Sequence, residues 1–115
     1  TYEYSIENIP NSPSSTFTTL PLKHAPGRVK FGFSSCAMKS KHAGYEMTGF
    51  AKLRKLSPSF PIFLGDLIYA DVPLSFVGLG TNKEAYRSHY RRTFIDPHMV
   101  ATGRSLPMQF MYDDH

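Results

Sequence analysis

The chain has 115 residues, of which 41% are hydrophobic and 19% are charged. This length allows at most one small domain, and the composition excludes disorder as the default state. The net charge of +4 is spread over small, separate basic clusters, which argues against a specific nucleic-acid partner. A single cysteine excludes an internal disulfide, and no apolar stretch approaches the ~20 residues of a membrane span.

The beginning of the chain predicts the end of an all-β module. Residues 1–6 alternate with the period of a strand, and residues 16–20 are rich in β-branched and aromatic side chains. A turn-rich stretch with two prolines separates these segments. The predicted organisation is therefore a β module over 1–21, a linker over 22–27 and a second unit over 28–115.

The second unit predicts alternating strands and helices. The apolar patterns place its strands at 28–34, 61–64 and 106–112. One helix is predicted over 45–56, and another begins at a capping box formed by Thr81 and Glu84 and stops at Asp96-Pro97. The order β-α-β-α-β predicts an α/β fold with a mostly parallel sheet and right-handed crossovers.

Side chains that can bind a metal follow each strand of this unit. Cys36 follows the first strand, Asp66 the second, and Asp113-Asp114-His115 the third. Because parallel strands present their carboxyl ends at one edge of a sheet, we expect these side chains to meet there. Tyr69, three residues after Asp66, adds a phenol oxygen to the same loop.

Each of these residues also has a simpler interpretation on its own. An aspartate often caps a turn, a lone cysteine is usually a small buried hydrophobe, and tyrosine often covers a core. Their joint occurrence at matching strand ends favours a site. The histidines that lack ligand spacing are assigned to no site; they are His24, His42, His89 and His98.

Taken in order, these motifs resemble a known family. Ser34-Ser35-Cys36, Gly-Asp-Leu-Ile-Tyr at 65–69, Tyr86-Arg87 with Tyr90, and Asp-Asp-His at 113–115 are similar to the successive motifs of PhoD-like alkaline phosphatases. These enzymes are a branch of the calcineurin-like metallophosphoesterases, and Asp-Val-Pro at 71–73 favours the fungal members.

The resemblance covers nearly the whole chain. Residues 1–21 are similar to the last strands of the fibronectin-III-like β-sandwich that precedes the catalytic domain. Residues 28–115 correspond to the first half of the family's sheet sandwich. The resemblance thus implies an N-terminal fragment of a longer, secreted enzyme.

The resemblance also implies a site with two metal ions, Fe³⁺ and Ca²⁺, with other divalent metals as an alternative. Asp66 would bridge the ions, Cys36 and Tyr69 would bind the ferric-type ion, and Asp114 would bind the second. His115 would lie beside the substrate phosphate and either protonate the leaving oxygen or stabilise charge.

Two aspartates lie outside the family's ligand positions, and two other residues differ from those of its bacterial members. Asp113 and Asp71 match no ligand position and are candidates for the residues that support the ligands. Bacterial relatives commonly have Gln after the Cys and Trp before Asp-Asp-His, where this chain has Ala37 and Tyr112. We therefore expect the metal ligands of the family but not the close substrate contacts of its bacterial members.

The implied activity is hydrolysis of phosphate monoesters or diesters by two-metal activation of a water that attacks phosphorus in line. The family's remaining ligands would lie beyond residue 115. The chain as given is therefore expected to be inactive, acting at most as a metal-binding or interaction module. A metal-independent nucleotide-binding module is a weaker alternative, since no glycine-rich phosphate loop follows a strand.

The metal-site hypothesis predicts short distances between the side chains of Cys36, Asp66 and Tyr69. If Cys36, Asp66 and Tyr69 bind one ion, the thiol, carboxylate and hydroxyl should lie within about 6 Å of one another, a relaxed form of metal ligation. Asp114 should approach Asp66 from the other side. The opposite result would place Cys36 between the sheet and a helix and turn Tyr69 away from Asp66.

Overall fold

A computed structural model of the chain describes residues 1–19, 22–39, 46–72 and 79–112. In order, its elements are β1 (Tyr2–Tyr4), β2 (Ser15–Phe17), β3 (Phe31–Ser34), α1 (Thr48–Lys55), β4 (Phe60–Phe63), α2 (Lys83–Phe94), α3 (Pro97–Ser105) and β5 (Gln109–Phe110). The fold is α/β, as predicted. The predicted site residues 113–115 lie outside the described ranges.

The main sheet is parallel, with β4 between β3 and β5. The first two strands pair along four residues each, whereas β5 pairs only with Ile62 and Phe63. A proline inside a central strand is normally excluded because it lacks a backbone donor. Pro61 is tolerated because it precedes the point at which β5 joins the sheet.

The helices pack on one face of this sheet. A Cβ added to Gly32 would lie 2.5 Å from the Leu53 side chain, so the glycine is what lets α1 approach β3 closely. Phe63 contacts Phe50 with ring centroids 5.0 Å apart, and both belong to the buried core. On β3, Phe33 is exposed, so the apolar core lies on the helical side.

The crossover from β4 to β5 contains two helices, where the sequence predicted one followed by a stop. Asp96-Pro97 does end α2, but it also begins α3. The Asp96 carboxylate accepts hydrogen bonds from the backbone N–H groups of His98 at 3.0 Å and Met99 at 3.2 Å. A proline at the first helical position forgoes no hydrogen bond, so the same dipeptide can stop one helix and start the next.

The predicted capping box at Thr81 is wrong. The N-cap of α2 is Asn82, whose side chain accepts a hydrogen bond from the Ala85 amide at 3.0 Å. Glu84 does not reach back to the cap but pairs with Arg87 at 2.6 Å and Arg91 at 3.3 Å on the exposed helix surface. Asn is as good a cap as Thr, so the helix begins one residue later than predicted.

The first 19 residues form an antiparallel pair of strands that is attached to the main unit. The rings of Tyr2 and Phe17 stack with centroids 5.4 Å apart. From α3, the Arg104 guanidinium donates to the Ser15 hydroxyl at 3.0 Å and the Ser14 carbonyl at 3.2 Å. Residues 22–27 contain neither helix nor strand. That this pair ends a fibronectin-III-like sandwich stays a prediction.

Candidate metal centre

The loops that follow β3 and β4 are joined by backbone hydrogen bonds. The Leu64 amide donates to the Ser34 carbonyl at 2.8 Å, which continues the parallel ladder past the last paired residues. Further out, the Ala37 amide donates to the Asp66 carbonyl, also at 2.8 Å. The loop that carries Cys36 is therefore fixed against the loop that carries Asp66.

Both loops turn through left-handed backbone conformations. The φ angles are 57° at Cys36, 109° at Gly65 and 52° at Asp66. Glycine adopts such angles freely and aspartate fairly often, but cysteine does so at a cost in free energy. Strained backbone of this kind is concentrated at functional sites, where surrounding contacts hold it.

These turns bring three side chains together on one oxygen atom. Asp66 Oδ2 lies 3.5 Å from the Cys36 sulfur and 3.3 Å from the Tyr69 hydroxyl, and it accepts a hydrogen bond from each. The thiol and the phenol also interact directly. Cys36 is exposed and lies 3.4 Å from the Ser35 hydroxyl, so it is not a core residue. The structure thus brings together the three residues that the sequence placed in one cluster.

The second oxygen of the Asp66 carboxylate is buried and, among the described residues, accepts no hydrogen bond. Leaving a buried acceptor unpaired costs about 1–3 kcal/mol, and more when the group is charged. Native proteins rarely tolerate such an atom without an unseen water or ion to pair it. A cation bound beside Asp66 would remove this cost.

The Tyr69 phenol is neutral in this arrangement. Its burial, its hydrogen bond with Cys36 and the charge of Asp66 together raise the pKa of Tyr69 well above its ordinary value. It therefore donates its proton to Asp66, and a metal that bound the oxygen would have to displace that proton.

Comparison with known protein families supplies the decisive observation. The family model of the PhoD-like phosphatases matches residues 31–115, the greater part of the chain. The chain belongs to the PhoD-like phosphatase family. This confirms the resemblance drawn from the motifs, and it indicates a phosphatase-type hydrolase acting on a phosphoester. Comparisons with curated proteins and with solved structures found no match.

The donors of the PhoD-like cluster suit a transition-metal cation. A thiol, a carboxylate and a phenol combine a soft ligand with two oxygen ligands, and the unpaired Asp66 oxygen provides a further acceptor. Within the described ranges, no group of three or more His, Cys, Asp or Glu side chains could hold a metal, so Tyr69 is needed to complete a set of three. The residues present fit one cation.

The remaining predicted site residues of this PhoD-like chain are not part of the cluster as described. Asp113, Asp114 and His115 lie outside the described residues. Asp71 is exposed two residues beyond Tyr69, and its supporting role stays a prediction.

A cavity of about 370 Å³ opens beside Cys36, between the end of β3 and the first turn of α1. Its far side includes Met47, whose amide donates to Asp96 Oδ2 at 3.1 Å. Lys39 pairs with the same oxygen at 3.2 Å. No local pattern in the sequence indicates that Asp96 fixes this wall, because Met47 and Lys39 lie much earlier in the chain. The pairing of Asp with Pro predicted only a helix end.

Proposed function

We propose that this protein is a metal-dependent phosphoester hydrolase acting on phosphate monoesters or diesters. Family membership supports the phosphatase-type activity. The observation that carries the metal dependence is the cluster of Cys36, Asp66 and Tyr69 around a buried carboxylate with one unpaired oxygen.

In this proposal the full-length protein holds two ions. Cys36, Tyr69 and Asp66 would hold a ferric ion, and Asp66 with Asp114 would contribute to holding a second ion, which we assign as calcium. When bound, the ions supply positive charge that activates water and stabilises the phosphoryl oxygens. A phenol is a hard oxygen donor suited to Fe³⁺, and a thiol becomes deprotonated when it coordinates a metal.

The side chains of the protein do the positioning. The left-handed turns at Cys36 and Asp66 aim both side chains at one point, and the backbone bond between Ala37 and Asp66 keeps the two loops in register. His115 would lie beside the substrate phosphate, where it either protonates the leaving oxygen or stabilises charge. We also propose that the protein is secreted, as the family resemblance implies.

The first experiment measures metal content and hydrolysis of bis(4-nitrophenyl) phosphate and 4-nitrophenyl phosphate by the full-length protein. The Asp66→Asn variant should lose bound metal and should hydrolyse neither ester faster than chelator-treated protein. Glu7→Gln removes an exposed carboxylate from the turn after β1 and serves as the matched control. Full activity in Asp66→Asn would refute the assignment.

A second experiment tests the ferric ligand spectroscopically. Reconstitution with Fe³⁺ should give the visible charge-transfer absorption of a ferric phenolate, and Tyr69→Phe should abolish it. Tyr4→Phe changes a tyrosine on β1 and should leave the band unchanged. If metal binds to Cys36 and Asp66 but no ester is hydrolysed, the chain is the metal-binding module that forms the alternative to an enzyme.

A further inference from the structure

A second cavity, of about 240 Å³, lies beside Asp66, between α2 and the end of β5. Asp66 lines it together with four aromatic residues, Tyr90, Phe94, Phe110 and Tyr112. A concave, mostly apolar site with one charged group at the carboxyl edge of a parallel sheet is a typical place for a small ligand.

Two of the rings form a fixed wall. Phe110 stacks on the core residue Phe63 with centroids 5.3 Å apart, and Phe94 meets Phe110 edge to face at 5.9 Å. Tyr90 extends this wall, stacking on Phe94 at 6.4 Å. These contacts position the wall before any ligand arrives, so binding requires little ordering of side chains.

Tyr112 is different, because 92% of its surface is exposed although it lines the cavity. An aromatic ring left almost wholly in water gains free energy by packing against another apolar surface. The wall and the exposed ring together form a slot that is open to solvent on one side.

The size and chemistry of the slot define its ligand. A cavity of about 150 Å³ can hold benzene, so about 240 Å³ has room for one substituted aromatic ring. Its lining includes Asp66, the residue to which we assign both ions. We propose that the slot receives the aromatic group of a phosphate ester, so that the enzyme prefers esters of benzyl-type alcohols. This inference rests on the proposed hydrolysis.

The test uses the full-length protein with metal and two esters, benzyl phosphate and ethyl phosphate. Their leaving alcohols have similar acidity, so a difference in kcat/KM reports binding of the ring. Benzyl phosphate should be preferred roughly tenfold or more, since burial of a phenyl group exceeds the gain from several methylene groups. Calorimetry with benzylphosphonate and ethylphosphonate, which are not hydrolysed, should show the same preference.

Variants at the rim identify the slot. Tyr112→Ala should reduce the benzyl-to-ethyl ratio of kcat/KM by about three- to tenfold, and Tyr112→Phe should keep it because the ring remains. Ile95→Ala is the control, since Ile95 is also highly exposed but does not line the cavity. An equal loss in Tyr112→Ala and Ile95→Ala would overturn the proposal.

The outcomes separate this inference from the proposed function. Hydrolysis of both esters at equal kcat/KM, with equal binding of both phosphonates, would overturn the aromatic slot and leave the phosphatase activity intact. Preferential binding of benzylphosphonate without turnover of either ester would support the slot and overturn the hydrolysis. If neither ester is hydrolysed and the two phosphonates bind equally, both the slot and the hydrolysis are overturned.

Discussion

Two aspartates in this protein show opposite uses of the same side chain. Asp96 is 1% exposed, and both of its oxygens are paired, with three backbone amides and the Lys39 ammonium. Asp66 has one oxygen shared by a thiol and a phenol and another that is buried and unpaired among the described residues. The first carboxylate stabilises the fold, whereas the second is the one at which we propose that a cation binds.

The largest effect should come from Asp96→Ala. This change leaves the amides of Met47, His98 and Met99 without their acceptor and the Lys39 ammonium without its partner. We expect the free energy of unfolding to fall by about 3–5 kcal/mol, because several buried donors are left unsatisfied at about 1–3 kcal/mol each. Urea denaturation followed by circular dichroism measures it. A loss below about 1 kcal/mol would show that Asp96 is not a structural centre.

A pH titration tests the charge of Asp96 without removing its side chain. Burial would by itself raise the pKa of Asp96, but the hydrogen bond with Lys39 and those from the Met99 and Met47 amides hold the pKa below its ordinary value of 3.8. Its contribution to stability is therefore complete above that value and is lost as pH falls through the lower, folded-state pKa. Urea midpoints between pH 3 and 7 should fall more steeply below pH 4 in the wild type than in Asp96→Asn.

The Lys39→Met variant separates the contribution of the Lys39–Asp96 ion pair from that of the backbone hydrogen bonds to Asp96. Lys39 is partly exposed, and the three amides remain on Asp96 after the substitution. We expect unfolding to become easier by only about 1 kcal/mol, which is nearer the value of a surface ion pair than of a buried one. Denaturation of Lys39→Met, Asp96→Asn and the double variant gives the coupling energy. A loss equal to that of Asp96→Ala would mean that the ammonium, not the amides, satisfies the carboxylate.

The smallest effect on stability should come from Asp66→Asn in metal-free protein. Asparagine accepts the left-handed backbone found at this position, and replacing the carboxylate by a neutral amide removes the cost of burying a charge there. We expect a change below about 1 kcal/mol, with a gain more readily than a loss. Urea denaturation of chelator-treated wild type, Asp66→Asn and Asp96→Asn gives the change in the free energy of unfolding for each substitution. Equal destabilisation by the two substitutions would break the contrast between the aspartates.

The sequence predicted those features that depend on chain order. Parallel strands bring their carboxyl ends to one edge, so the proximity of Cys36 to Asp66 followed from their positions after apolar runs. Tyr69 was harder to place, because its approach depends on the left-handed angles at Gly65 and Asp66. A glycine suggests such a turn, but nothing in the sequence indicates that an aspartate or Cys36 adopts one.

Features that depend on distant partners were missed. The role of Asp96 requires Met47, which lies 49 residues earlier, and local patterns contain no information on that contact. Helix α3 was missed for a local reason, since Asp96-Pro97 has the same sequence whether it ends one helix or begins another. The ligand roles predicted for residues 113–115 stay predictions.

Helix α1 packs on α3, so the folding of the protein must bring together two segments that are far apart in the chain. The Thr102 hydroxyl reaches the Phe50 carbonyl across 52 residues of chain, so closing this contact carries a substantial loop entropy. Folding rates fall as such long-range contacts increase. On the ribosome, α1 is synthesised before α3 begins. The nascent chain therefore exposes the apolar face of α1 until α3, which packs against it, has emerged.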